Sequence, residues 1–197
     1  MADFHELHDV TLHVILLVIR LVLGGAEDDA SAVYRNQFEL HALAVVVIPS
    51  CADAGPDRQV LVSSVASWRP FPDAVDALQA LGSRYRLAII SNIDDDLFAI
   101  TARQLGVEFD LVVTAQQVQC YKPHSAIFEE ALRRLAIEPR YIAHVAEGVT
   151  EIPPARRLGC TTIWVRRYGR SAPLLTEAPD LEVPDLNSML VPMGADD

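Results

Sequence analysis

Arg86-Leu87-Ala88-Ile89-Ile90-Ser91-Asn92-Ile93-Asp94-Asp95-Asp96-Leu97-Phe98 is the stretch whose reading decides the fold. A short unbroken apolar run that ends in polar residues predicts a strand covered on both faces. The three aspartates then favour a helix N-terminus, and Leu97, Phe98, Thr101 and Leu105 recur at helical spacing until Gly106 stops the helix. Strand, polar turn and helix make the opening of a βαβ unit, and sheets built from such units receive ligands at the C-terminal ends of their strands.

Working outward, the same alternation continues in both directions. Upstream, Pro72 suits a first helical turn, Asp73 and Asp76 favour its N-terminus, and Ala74, Val75, Ala77, Leu78 and Leu81 form an apolar stripe closed by Gly82. Downstream, Leu111 to Thr114 predicts a strand, and Ser125 to Leu135 a helix that buries Ile127, Phe128, Ala131, Leu132 and Leu135. Ile142 to Val145 predicts a strand, Pro154 to Leu158 a short helix ended by Gly159, and Thr161 to Val165 a further strand. Right-handed crossovers join such strands into one twisted sheet, so the fold class is α/β, a doubly wound, Rossmann-like parallel sheet. Function is then expected just after Ile90, Thr114 and Val145.

The flanks are less regular. Val10 to Leu23 is an apolar run, and Ala26 to Ala32 is acidic and loop-like. Val33 to Ile48 reads as a helix running into an apolar strand, and Pro49 to Arg58 has turn chemistry. The Pro- and Asp-rich residues after Arg170 predict a surface wrap. The expected organisation is a core from residues 1–23 and 68–170, a reduced cap region over 24–67, and a C-terminal surface tail over 171–197.

Composition narrows the function classes. A chain of 197 residues that is 51% hydrophobic has ample material for a core. Its formal charge of −11 repels a nucleic-acid backbone or an anionic membrane, and the one basic cluster, Arg166, Arg167 and Arg170, has no interleaved aromatics and reads as a solvated loop. The N-terminal apolar run is interrupted by His13 and Arg20 and preceded by Asp3, Glu6 and Asp9, whereas a span needs about 20 apolar residues and a signal peptide a basic front end. It is read as buried strand or helix, although such a run can also serve a homodimer interface. Cys51, Cys120 and Cys160 fit neither a disulfide framework nor a metal-ligand spacing, so a reducing, cytoplasmic setting is the default expectation.

Three elements at the expected ligand edge carry chemistry. Ser91 and Asn92 place a hydroxyl and a free backbone N–H where an anion can be held. Lys122, in Tyr121-Lys122-Pro123, puts an ammonium at the mouth of the same sheet, able to neutralise a carboxylate nucleophile and an anionic substrate. Glu147 and Glu151 are two carboxylates four residues apart beyond the next strand, suited to an oxygen-ligated Mg²⁺ or to placing a water. Taken singly, Lys122 reads as a surface lysine ahead of a helix, and each glutamate as ordinary helix N-terminal charge. The order of the three points to a site for a small anionic substrate.

That order resembles the haloacid dehalogenase-like hydrolases. The resemblance rests on Trp68-Arg69-Pro70-Phe71-Pro72-Asp73, on Ile89-Ile90-Ser91-Asn92 with the aspartates that follow, on Tyr121-Lys122-Pro123, and on Val145 through Gly159 followed by Thr162-Ile163-Trp164-Val165. The chain looks most like the branch with the type II 2-haloacid dehalogenases. The resemblance implies that Ser91 and Asn92 hold the substrate's anionic group, that Lys122 is the third-motif lysine, and that Glu147 and Glu151 stand where phosphatase members usually carry aspartate. The family's first motif, a strand ending in Asp-x-x-Gly-Thr-Leu or Asp-x-Asp-x-Thr, is not intact. Asp3 to Leu12 resembles its lead-in with residues missing, including the turn glycine, which makes Asp9 the candidate nucleophile.

Two classes of function follow. In the first, Asp9 forms a covalent intermediate that water hydrolyses. A dehalogenase of this kind needs no cofactor, since Lys122 and Ser91 steady the substrate carboxylate, while a phosphatase needs Mg²⁺ held by Asp9, Glu147 and Glu151. In the second, the altered front end leaves a non-catalytic binding protein. An Asp9 within a few ångströms of Lys122 and Ser91 separates them.

Overall fold

The computed structural model describes residues 13–19, 42–47, 65–167 and 177–195. Seven strands form one sheet: β1 (His13–Ile19), β2 (Ala42–Val47), β3 (Arg86–Ser91), β4 (Leu111–Thr114), β5 (Ile142–Ala146), β6 (Thr161–Val165) and β7 (Leu181–Val183), in the order β4-β3-β2-β1-β5-β6-β7, with β2 also pairing β5. The helices are α1 (Ala74–Gly82), α2 (Asp95–Leu105), α3 (Ala115–Val118), α4 (Ser125–Leu135), α5 (Ile152–Arg157) and α6 (Asn187–Met193).

Strand side chains alternate between the faces, and each face has its own core. Leu87, Ile89, Ala143, Val145, Ile163 and Val165 point to the face covered by Ala77, Leu78 and Leu81 of α1, Phe98 and Leu105 of α2, and Met189 and Met193 of α6. Ala88, Ile90, Val113, Ile142, Ala146 and Trp164 point to the other, covered by Ile127, Phe128 and Ala131 of α4 and Ile152 and Ala155 of α5. Burial on both sides explains the apolar runs of β3 and of β5, the latter interrupted only by His144, and establishes the doubly wound α/β architecture. α2 ends in Gly106 at φ 66°, a left-handed residue that a side chain would strain.

The four strands expected from β3 to β6 are present and parallel to one another where they pair: β3 with β4 from Ala88↔Leu111 to Ser91↔Thr114, and β5 with β6 from Ala143↔Thr161 to Ala146↔Trp164. Two expectations about the front change. The His13–Ile19 part of the N-terminal apolar run is a sheet strand, but it runs antiparallel to β2 and β5. Ala42–Val47, inside the stretch assigned to a cap, is also a sheet strand, parallel to β3 at Ala44↔Ile89 and to β5 at Leu43↔His144. Its run of Val45, Val46 and Val47 has the β-branched character of an interior strand. The rest of 24–67 as far as residue 64 lies outside the described residues.

The tail also departs from a surface wrap over 177–195. β7 pairs parallel with β6, and Val183, Leu186, Met189 and Met193 are buried against the first core. A bidentate pair from Arg167 to Asp73, at 3.0 and 2.9 Å, sits beneath this segment, and Oδ2 of Asp73 also accepts the N–H of Leu186 at 2.8 Å. Arg167 lies over the Phe71 ring, 3.9 Å from its centroid. The basic cluster read as a solvated loop is thus partly consumed in packing: Arg167 is buried, and Arg166 pairs with Glu182 at 2.6 Å. Arg170 lies outside the described residues.

Candidate active site

β3, β4 and β5 all deliver their C-terminal ends to one edge, as parallel strands must, and the loops leaving that edge carry the candidate residues. Ser91, the last residue of β3, is fully buried beside Thr114, its register partner in β4. Asn92 follows and turns its amide onto the loop after α3. Its Nδ2 donates to the carbonyl of Lys122 at 3.1 Å, and its Oδ1 accepts the Lys122 N–H at 2.7 Å. This reciprocal pair fixes the backbone of the lysine. Two residues on, His124 caps α4, its Nδ1 accepting the N–H of Ala126 at 3.2 Å.

A second clamp steadies the loop walls. Oδ1 of Asp95 accepts the hydroxyl of Thr114 at 2.6 Å and the Gln117 amide at 2.8 Å, while the Asp95 N–H donates to Oε1 of Gln116 at 2.8 Å. The β3–α2 and β4–α3 turns are therefore tied to each other directly.

From this frame Lys122 reaches inward rather than into solvent. It is 6% exposed, and its Nζ lies 3.2 Å from Oε1 and 3.1 Å from Oε2 of Glu151, itself 4% exposed. Glu151 comes from the turn Val149–Glu151 that leads from β5 into α5. Gly148 gives its carboxylate room, since a Cβ there would stand 2.9 Å from Oε1. Burial lowers the pKa of the Lys122 ammonium, and the charge of Glu151 opposes that shift. For Glu151, burial works to raise the carboxyl, but the Lys122 charge and the His144 contact outweigh it and hold the group below the ordinary carboxylate range.

His144 is the residue that sequence reasoning missed. It lies in β5, wholly buried, with Nε2 3.5 Å from Oε2 of Glu151 and its ring edge-to-face with Phe128 at 5.3 Å. Burial keeps the imidazole pKa below its ordinary value. The available signal was a lone imidazole in an otherwise apolar strand.

The predicted residues divide as follows. Asn92, Lys122 and Glu151 are brought into direct contact, and Ser91 adjoins them along the chain. Glu147 is at the same edge, with its carbonyl accepting the indole N–H of Trp164 at 3.0 Å. Asp9 lies outside the described residues. Among the described residues no three His, Cys, Asp or Glu side chains are grouped so as to hold a metal ion, and no helix is long and apolar enough to cross a membrane. Glu151 in particular fits Mg²⁺ poorly, because an ammonium already lies against both its oxygens.

Comparison with known proteins agrees with the fold. The family model for haloacid dehalogenase-like hydrolases matches residues 9–159. Haloacetate dehalogenase H-2 of Moraxella sp. (strain B) is 30% identical over 125 residues, 62% of this chain and 56% of that protein. Glyceraldehyde 3-phosphate phosphatase of Methanothermobacter thermautotrophicus is 39% identical over 110 residues, 51% of this chain and 46% of that protein. The chain thus spans about half the length of these curated relatives. A crystal structure of an L-2-haloacid dehalogenase superposes with a TM-score of 0.62 at 28% identity, covering 70% of this chain and 61% of that one. With the family match running from before β1 to the end of α5 and beyond, across every strand that frames Lys122 and Glu151, the chain belongs to the haloacid dehalogenase-like hydrolases.

Proposed function

We propose that the chain acts on a small anionic substrate as a hydrolase of the 2-haloacid dehalogenase type, with Lys122 as the cation that meets the substrate carboxylate. The observation that carries this reading is the buried Lys122–Glu151 contact at the ligand edge of the sheet, beside Ser91 and Asn92. An ammonium has three donors, and one carboxylate engages at most two of them. A donor therefore remains for a substrate oxygen.

In the reaction, the carboxylate of Asp9, nucleophile by resemblance, attacks the carbon that bears the halogen. The carbon–halogen bond breaks, halide leaves with the electron pair, and an ester links Asp9 to the substrate. Water then adds to the ester carbonyl, which releases the 2-hydroxy acid and a proton and restores the carboxylate. The Lys122–Glu151 pair is close to neutral overall, so its remaining donor suits a monoanionic substrate better than a more highly charged one. A phosphoryl substrate carries more charge, and the engagement of Glu151 by Lys122 disfavours the divalent cation that would offset it.

The test is halide release from 2-chloropropionate by the full chain in the presence of a chelator, next to phosphate release from a phosphomonoester with Mg²⁺. Chelator-resistant halide release that is lost in Asp9→Asn supports the proposal. Phosphate release alone replaces it with the phosphatase reading, and turnover of neither substrate leaves a non-catalytic member of the family.

A further inference from the structure

Among the described residues His144 is the one fully buried ionisable side chain in contact with the Lys122–Glu151 pair, and the reaction above gives it no task. Its Nε2 faces Oε2 of Glu151 at 3.5 Å, the same oxygen that stands 3.1 Å from Nζ of Lys122. Among the described residues neither ring nitrogen nor Oε2 of Glu151 makes a full hydrogen bond, so the 3.5 Å approach of Nε2 to Oε2 is a charge contact that a small shift of the ring turns into a hydrogen bond. A buried N–H without an acceptor is rarer in proteins than an acceptor without a donor, so the proton of a neutral ring belongs on Nε2, facing the carboxylate. Phe128, edge-to-face on the imidazole at an interplanar angle of 70°, holds the ring in that plane.

We infer that His144 is a positioning residue: its Nε2–H steadies Oε2 of Glu151 and so leaves part of the Lys122 ammonium available to the substrate carboxylate. Lys122 donates its hydrogen bond to Oε1, and the imidazole faces Oε2, the oxygen that is left without one. Without the imidazole, Lys122 is the only side-chain donor facing Glu151 among the described residues, the pair closes up, and an incoming anion must compete with a carboxylate that is already in place. The effect falls on substrate binding rather than on displacement of halide. This inference takes its substrate class from the proposed function but its geometry from the buried contacts alone.

Two substitutions in the full chain test it. His144→Gln keeps a side-chain N–H near the position of Nε2, whereas His144→Phe removes the donor and keeps a ring against Phe128. With 2-chloropropionate, His144→Phe is expected to raise KM about tenfold with kcat little changed, the size of one hydrogen bond to a charged group, and His144→Gln to restore most of the loss. Equal losses in the two variants, or a fall in kcat at unchanged KM, would overturn the inference. A second readout needs neither turnover nor a stable variant: histidine ¹⁵N–¹H spectra of the wild-type chain at neutral pH. A neutral Nε2–H tautomer whose resonances move in Glu151→Gln supports the inference, and an Nδ1–H tautomer or an imidazolium contradicts it. If the wild type turns over neither substrate, the dehalogenase reading fails, and the spectra still decide the place of His144.

Discussion

The two edges of the sheet use the same ion-pair chemistry to opposite ends. At the edge where β3, β4, β6 and β7 begin, Arg86 meets Asp110 at 3.0 Å with side chains 32% and 39% exposed, and Arg156 meets Asp180 with 41% and 33%. Both aspartates also hold the start of a strand. Asp110 accepts the Leu87 N–H at 3.0 Å, and Asp180 accepts the Thr162 N–H at 2.9 Å and its hydroxyl at 2.8 Å. Solvent screens such pairs to about 0–1 kcal/mol, so they act as strand staples. At the opposite edge Lys122 and Glu151 form a pair of similar length with almost no solvent. Removing two charges from water costs several kcal/mol, and apolar residues of the same volume would serve stability as well or better. What separates the edges is therefore exposure, and under the proposed function the buried pair serves the substrate.

The sharpest way to break that contrast is to remove one partner of the buried pair. Lys122→Met leaves Glu151 without its cation. It is expected to lose about 3–5 kcal/mol in urea unfolding and to abolish halide release from 2-chloropropionate. Next in size is Asn92→Ala, which removes both hydrogen bonds to the Lys122 backbone while sparing its side chain. Halide release should fall about 10–100-fold for a stability loss of about 1–2 kcal/mol, read from the same two assays.

Acid titration sharpens the comparison further. Glu151 has a folded pKa below the ordinary 4.5, so its contribution to stability is complete above that value and is lost as the pH falls through the lowered pKa. Unfolding free energy measured down the acid limb should drop more steeply in the wild type than in a variant lacking both Lys122 and Glu151. Smallest of all, Arg86→Ala at the opposite edge should cost less than about 1 kcal/mol and leave turnover unchanged.

The legible part of the sequence was the part where local pattern and tertiary role coincide. β3 through β6 are buried on both faces, so their apolar runs announce them, and the positions of Ser91, Asn92, Lys122 and Glu151 just beyond strand ends bring them to one edge of the sheet. The tail was misread because Pro179, Asp180, Pro184, Asp185 and Pro192 punctuate it as a loop, while Leu181, Val183, Leu186, Met189 and Met193 carry strand and helix spacing between them. An apolar run gives no strand direction, which is why the antiparallel setting of β1 and the interior setting of β2 were not foreseen. Arg166 and Arg167 read as a patch because their partners, Glu182 and Asp73, are 16 and 94 residues away. His144 was hidden for a different reason. A histidine within an apolar strand reads as core, and only the distance to Glu151 gives it chemistry.

The most direct test is halide release by the double variant Lys122→Met, Glu151→Leu, on protein whose urea unfolding is measured alongside. The account predicts a chain folded about as stably as the wild type that releases no halide, since the pair costs stability and serves the substrate. Halide release at the wild-type rate by the double variant would contradict it.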